Sequence, residues 1–321
     1  METPRVTLTG DDRDVLRQTL KSGMGSDPAL IDSEPWLRHA AATAKHLPDA
    51  LYLALREFKR DSKVSGAVIV DGFPVDTLGA LPTPVAYNSV RREVTPEALA
   101  LMTSLSILGD AVAYEGEKHG ALVHDIVPVA GYENTQSNAG SEAFALHIEN
   151  AFHQHRPDYV LLLCLRQGPD GEAKHRLAAA RRAVRKLKSE VVEVLFEDRF
   201  QTMPPPSFDD SGRPPSHAVF SGALEDPDVC VDLAYTTGRD ETAQSALLDL
   251  DRALDEVSEV IALSPGQLVV IDNRVTLHGR TPFAPMYDGR DRWLLRAFCK
   301  SDIRASRTAR RHDGRRLGEF V

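Results

Sequence analysis

From about residue 66 onward the chain is cut into short apolar runs of strand length, at 67–70, 121–124, 143–149, 158–165, 217–220, 229–233, 267–271 and 293–298. Turn residues separate them, and they do not alternate regularly with helices as a βαβ repeat would. This pattern predicts a β core with helices packed around it. Helices are expected mainly in the first third. Residues 11–20, 34–47 and 49–60 carry apolar side chains at three- and four-residue spacing, with Pro48 dividing the last two. Thr95-Pro96-Glu97 opens a further helix with a capping hydroxyl, a proline in the first turn and an acid beside it. Leu99, Met102, Leu105 and Leu108 give that helix an apolar stripe, and Gly109 ends it. Two helical insertions are expected in the β region, at 176–196 and 240–263.

Composition bounds the function. With 321 residues, 42% hydrophobic and 26% charged, the chain has enough apolar mass for a sizeable core. It reads as one domain over 1–321: a helical part to about 65, a β core over 66–300, and a basic tail at 301–321. No run of about 18 apolar residues exists, so no membrane span is expected. The first residues contain no apolar segment of the kind a secretory signal needs. Acids outnumber bases 47 to 38, a net charge of -9, which argues against a general nucleic-acid binder. Cys164, Cys230 and Cys299 form no paired motif, and a reducing cytoplasm fits them. Neither a G-x-S-x-G elbow nor a nucleotide-binding glycine loop occurs. Residues 202–216 hold Pro204, Pro205, Pro206, Pro214 and Pro215, which excludes a regular helix or central strand and suits a lid.

The sharpest local signal is Phe144-Ala145-Leu146-His147-Ile148-Glu149-Asn150. In a strand, Phe144, Leu146 and Ile148 would face a core, and His147 and Glu149 would stand side by side on the opposite face. One imidazole and one carboxylate can chelate one ion, and a third ligand would complete a facial triad. Alone, His-x-Glu is more often an ordinary polar pair. His278, followed by Gly279 at the end of an apolar run, offers the third ligand. His153 and His155 lie in a segment that looks like a loop leaving the strand. His119, His124 and His175 have no spaced partner. Further on, Arg292 and Arg296 fall on one face of the last strand, with Trp293, Leu295 and Ala297 on the other. Arginine suits bidentate carboxylate binding, although two strand arginines can also be plain surface ion pairs.

Taken together, these segments resemble the clavaminate-synthase-like branch of the iron(II)/2-oxoglutarate oxygenases, and within it the bacterial hydroxylases of free amino acids. The matching pieces are His147-Ile148-Glu149, residues 272–283 around His278, Arg292 with Arg296, and the runs 120–128 and 159–166. The match covers roughly residues 65–300. It implies a distorted double-stranded β-helix, a jelly-roll, cupin-like core with helices outside. It implies that His147, Glu149 and His278 bind iron, and that Arg292 binds the distal carboxylate of 2-oxoglutarate. It implies that Arg296 receives the substrate α-carboxylate, that Glu117 and Asn138 contact its carboxylate and amino end, and that Asp232 binds its side chain. The loop at 202–216 matches the family lid. With O2, the implied reaction converts 2-oxoglutarate to succinate and CO2 while hydroxylating the amino acid.

Two departures from the family pattern bear on specificity. Relatives often carry a Thr or Ser after a Gly-Ala pair to contact 2-oxoglutarate, whereas here the stretch reads Gly171-Glu172-Ala173-Lys174-His175. Relatives acting on guanidino groups tend to carry two acids with one residue between them; here the pair is Cys230 and Asp232. A cationic side chain, lysine or arginine hydroxylated at C3 or C4, is the main expectation, because Asp232 and nearby acids favour a cation. Asparagine, a cyclic guanidino amino acid, a carrier-tethered amino acid and a non-catalytic cupin-like metal protein are the alternatives. Glu149 occupies the place where a halogenase would need a halide.

Overall fold

The computed structural model describes residues 2–24, 30–168, 171, 173–206, 208, 214–310 and 314–318. The strands that matter here are β1 (Arg5–Thr7), β2 (Ala67–Asp71), β3 (Asp110–Tyr114), β4 (Val123–Ile126), β5 (Phe144–His147), β6 (Tyr159–Arg166), β7 (His175–Ala179), β8 (Glu259–Ile261), β9 (Gln267–Asp272), β10 (Thr276–Arg280) and β11 (Trp293–Lys300). A large sheet runs in the order β1, β2, β9, β6, β11, β3, with β4 also paired to β11. A smaller sheet runs β8, β7, β10, β5. Every pairing within this set is antiparallel except that of β1 with β2.

The strands β6, β9 and β11 are buried almost residue for residue, as strands covered on both faces must be. Their side chains divide by parity. On β11, Trp293, Leu295, Ala297 and Cys299 pack into the helical layer, while Leu294 and Phe298 face inward among the buried residues of the other strands. Arg296 shares the inward parity, as the sequence pattern requires.

The outer layer on the large sheet consists of α1 (Gly10–Gly23), α2 (Glu34–Thr43), α3 (Asp49–Arg60) and α4 (Pro96–Leu108). Thr95 caps α4 by accepting a hydrogen bond from the Ala98 N–H. The apolar stripe expected on α4 turns out to be one part of a fully enclosed surface: Glu97, Thr103 and Ser104 are buried as well. A helix apolar nearly all round is a central helix, and α4 packs against α2, α3 and β11. Glu97 Oε1 accepts there from the N–H groups of Thr77 and Leu78, while its buried Oε2 has no partner among the described residues. Gly109 lets α4 end against the sheet, because a Cβ at that position would stand 2.1 Å from the Lys300 carbonyl oxygen. On the smaller sheet, α5 (Glu241–Val257) covers Leu146, Ile148, Ala178 and Leu277.

The structure departs from the sequence reading at three places. The segment 176–196 begins as strand β7, and short helical turns follow at Ala180–Ala183, Val184–Lys186 (a 3-10 turn) and Ser189–Leu195. Pairing with both β8 and β10 overrides the helical preference of its alanines and arginines. The insertion at 240–263 likewise ends in β8. The basic tail is anchored where it is described: Arg316–Leu317 pairs with β3, and Arg315 meets Glu34 and Asp110. Of the expected lid, residues 207 and 209–213 lie outside the described residues, and Pro205 and Phe208 flank the central cavity. No helix among the described residues is long and apolar enough to cross a membrane.

Gly109→Ala is expected to cost about 1–3 kcal/mol through the clash with Lys300. Gly10→Ala, where nothing lies within 4 Å, should be neutral or stabilising by up to about 1 kcal/mol. Urea unfolding of the two variants checks the difference.

Candidate active site

His147 lies on β5 opposite His278 on β10, and Glu149 lies just past the end of β5. The ligand-capable atoms of the three residues fall within 4.8 Å of one another, and all three residues are buried. The two imidazole centroids are 4.4 Å apart. The expected face of β5 needs one correction. Leu146 and Ile148 join the α5 cluster, but Phe144 turns the other way and stacks on His147 at 4.3 Å. The register gives the reason: His278 faces His147 while Arg280 faces Phe144, so β5 carries one residue more than β10 over that stretch. Such a bulge reverses which way the preceding side chain points. Gly279 sits at its centre, where a Cβ would come within 2.6 Å of the Phe144 carbonyl oxygen.

Asn273 holds the other end of this arrangement. Its Oδ1 accepts from the Glu149 N–H at 2.8 Å, and its Nδ2 donates to the carbonyls of Glu149 at 3.2 Å and Pro157 at 2.9 Å. In the sequence, Asp272-Asn273 reads only as a turn. In the structure Asn273 clamps the turn carrying Glu149 to the turn that leads into β10.

The trio fits a divalent metal. His147 Nδ1 lies 2.8 Å from the Ala145 carbonyl, which can only accept, so Nδ1 carries the proton and the lone pair is on Nε2. Burial, aided by neighbouring His278, holds the His147 pKa below its ordinary value, so the ring stays neutral. Burial alone would raise the Glu149 pKa, but Arg296 and the contact with His278 outweigh it and hold the carboxylate ionised, far below its usual range. His278 directs Nε2 toward Glu149 at 3.4 Å, and its buried Nδ1 has no partner. Two imidazoles and one carboxylate are the donor set of an open-sided iron(II) site. His153 stands apart, with Nε2 3.1 Å from the Gly318 carbonyl oxygen. Among the described residues, only His147, Glu149 and His278 form such a group.

Cavities open on two sides of the trio. One is lined by Arg292, Arg280, His175 and Arg296; the other by Glu117, Gln136, Phe208, Asp232 and Tyr235. Asn138, Phe144, His147 and Glu149 border both. Arg296 is almost fully buried. It donates to Glu149 at 2.8 Å, to Glu117, and to His124 Nδ1 at 2.9 Å. His124 Nε2 faces the Ala121 carbonyl at 2.9 Å, which leaves Nδ1 free to accept from the guanidinium. Burial opposes the Arg296 charge, but Glu117 and Glu149 raise its pKa. Burial pushes the Glu117 carboxyl up against the pull of Arg296.

Arg292 differs. Among the described residues its hydrogen-bond partner is His175, with Nη2 3.2 Å from Nε2, and no carboxylate pairs with it. Burial brings its pKa down to about 10. Asp232 faces His147 across an isolated bridge, and its Oδ1 accepts from the Ala234 N–H at 2.9 Å. Burial pushes its carboxyl pKa up. His147, Glu149, His278, Arg292, Arg296, Glu117, Asn138 and Asp232 thus all line the two adjoining cavities, whereas His153 does not. His124, His175, Arg280 and Asn273 were passed over. Strand parity from His278 could have marked Arg280; nothing local marked the two histidines.

The chain matches the model of the taurine catabolism dioxygenase TauD, TfdA family over residues 47–298. It is 44% identical to the L-asparagine oxygenase of Streptomyces coelicolor, over 98% of this chain and 94% of that protein. It is 32% identical to the L-lysine 3-hydroxylase of Catenulispora acidiphila, over 89% of this chain and 82% of that protein. A solved asparagine oxygenase in complex with Fe(II), 2S,3S-3-hydroxyasparagine and succinate superposes with a TM-score of 0.95 at 43% identity, covering 98% of this chain and 99% of that one. The non-heme iron oxygenase OrfP with Fe and alpha-ketoglutaric acid gives a TM-score of 0.89 at 30% identity, covering 99% and 100%. These likenesses extend over the whole double-stranded β-helix and its helical layer, not over the metal-binding trio alone. The chain belongs to the TauD/TfdA family, among its amino-acid hydroxylases, and is an iron(II)- and 2-oxoglutarate-dependent dioxygenase.

Proposed function

We propose that this enzyme hydroxylates free L-asparagine at C3. The observation that carries the proposal is the 44% identity, sustained over 98% of the chain, to a protein named L-asparagine oxygenase. The basic amino acids expected from Asp232 and the nearby acids are the weaker reading, since the lysine hydroxylase is more distant at 32%. The site chemistry accommodates an amide. A single acid, Asp232, with Cys230 two residues before it, can accept from an amide NH2 as readily as from an ammonium.

The proposed roles follow from charge and position. His147, Glu149 and His278 hold the iron. Bound iron supplies the redox chemistry that couples decarboxylation of 2-oxoglutarate to entry of one O2 oxygen atom into a C–H bond, the other going into succinate. Arg292 receives the distal carboxylate of 2-oxoglutarate. Arg296 receives the α-carboxylate of the amino acid, Glu117 and Asn138 its amino end, and Asp232 the side-chain amide. An amino acid fixed at both ends presents the carbon between them to the metal centre, so the protein's contribution is positioning and the exclusion of water. Pro205 and Phe208 close the substrate cavity from the lid side. The three free, buried cysteines suit a reducing cytoplasm.

Anaerobic loading with Fe(II) and 2-oxoglutarate, followed by oxygen and a screen of the common amino acids with ornithine and citrulline, is expected to add one oxygen atom to L-asparagine with matching succinate. A lysine or arginine product with asparagine untouched overturns the substrate assignment. Glu149→Ala should abolish coupled succinate formation. Asp232→Ala should raise the KM for asparagine by about 10- to 100-fold, the cost of losing a hydrogen bond to a charged group. An unchanged KM places the amide receptor elsewhere.

A further inference from the structure

We propose that Arg280 is a second receptor for the distal carboxylate of 2-oxoglutarate, acting beside Arg292, and that His175 is the positioning residue that orients the Arg292 fork. The inference rests on 2-oxoglutarate being the co-substrate and on Arg292 marking the far end of its site. Arg280 follows the ligand residue His278 by two positions on β10, so it shares the inward face. His175 on β7 stands directly opposite Arg280 in register. Arg280, Arg292 and His175 line one cavity with His278, and all are nearly inaccessible to solvent.

The bonding of Arg280 is incomplete. Its Nη2 donates to the Glu142 carbonyl at 3.1 Å, and its buried Nε has no partner. Phe144 and Phe283 lie against the guanidinium, 5.7 and 5.1 Å from ring centroid to Cζ. These rings exclude water from the faces of the guanidinium and leave its donor edge for a ligand. Among the described residues no carboxylate pairs with Arg280 or Arg292. Two buried cations side by side without an anion are costly. A carboxylate bound between them offsets that cost and takes up the donors left open.

His175 completes the receptor without cancelling its charge. Its Nε2 accepts from Arg292 Nη2, since a guanidinium has no acceptor. A neutral imidazole fixes the direction of the guanidinium, where a carboxylate would have neutralised it. The cavity thus keeps both positive charges for the co-substrate, at the end of the molecule away from the keto acid.

The test compares two keto acids on the Mn(II)-loaded enzyme by titration calorimetry: 2-oxoglutarate, and 2-oxopentanoate, which has the same chain length and no distal carboxylate. Arg280→Met is expected to weaken 2-oxoglutarate by about 10- to 100-fold and to leave 2-oxopentanoate unchanged. Arg280→Lys, which retains charge but not the fork, should lose a smaller part of the same preference. His175→Phe should likewise reduce the preference for 2-oxoglutarate. Equal weakening of both ligands in the Arg280 variants, or unchanged 2-oxoglutarate affinity, overturns the proposal. Should Arg280→Met not fold, Arg280→Lys decides alone by whether its loss is confined to 2-oxoglutarate. Arg292→Met tests the underlying reading separately: if it spares 2-oxoglutarate while Arg280→Met does not, Arg292 is not the far-end receptor and Arg280 still is.

Discussion

The buried ion pair between Arg296 and Glu149, 2.8 Å long, is the interaction on which the centre of this enzyme turns. A carboxylate this deep would ordinarily take up a proton, and a protonated Glu149 is a poor metal ligand. Arg296 prevents that, and it can do so only because β11 delivers it on the inward face while its alternate neighbours anchor the strand in the helical layer. Glu117 and His124 then engage Nε and Nη2, and one Nη1 hydrogen is left without a partner among the described residues. The metal set on the smaller sheet thus depends electrostatically on a strand of the larger one, and the facing of the two sheets is a chemical requirement as well as a packing outcome.

Much of this was legible from residue order. The parity of Arg296 against Trp293, Leu295 and Ala297 is a local property of an extended strand and is found in the structure; Arg292 falls just before β11, beyond a register shift at Trp293 and Leu294, yet lines the same cavity. The cap of α4, with Thr95 and Pro96, is local in the same way. What could not be read was decided by partners distant in sequence. The bulge that turns Phe144 onto His147 exists because β5 meets β10, more than a hundred residues later. The segment starting at His175 carries helix-favouring alanines and arginines, and became a strand because two neighbours offered hydrogen bonds. The histidines at 124 and 175 look unremarkable alone; one lies against Arg296 and the other against Arg292. Asp232 shows the reverse limit. Its charge suggested a cationic substrate, but a carboxylate accepts from an amide equally well, and relatedness over the full chain weighed more than one residue's charge.

The two arginines Arg292, just before β11, and Arg296, within it, also show how one sequence device serves two purposes. Arg296 is met by acids belonging to the protein and helps set the charge of the metal site. Among the described residues Arg292 is met by a neutral ring and by no carboxylate. The difference lies wholly in what the neighbouring strands place opposite each one.

The order of the strands along the chain carries a consequence for how the enzyme comes into being. β11 is central in the large sheet, between β6 and β3, yet it is the last long strand to be synthesised. Until it emerges, β6 presents an open, apolar edge, and β3 and β4 are joined neither to it nor to each other. His278, Arg292 and Arg296 arrive with the same late stretch of chain. A growing polypeptide therefore carries two of the three residues of the trio and no counter-charge for Glu149 until its final strands dock, so a redox centre is not assembled on an unfinished protein.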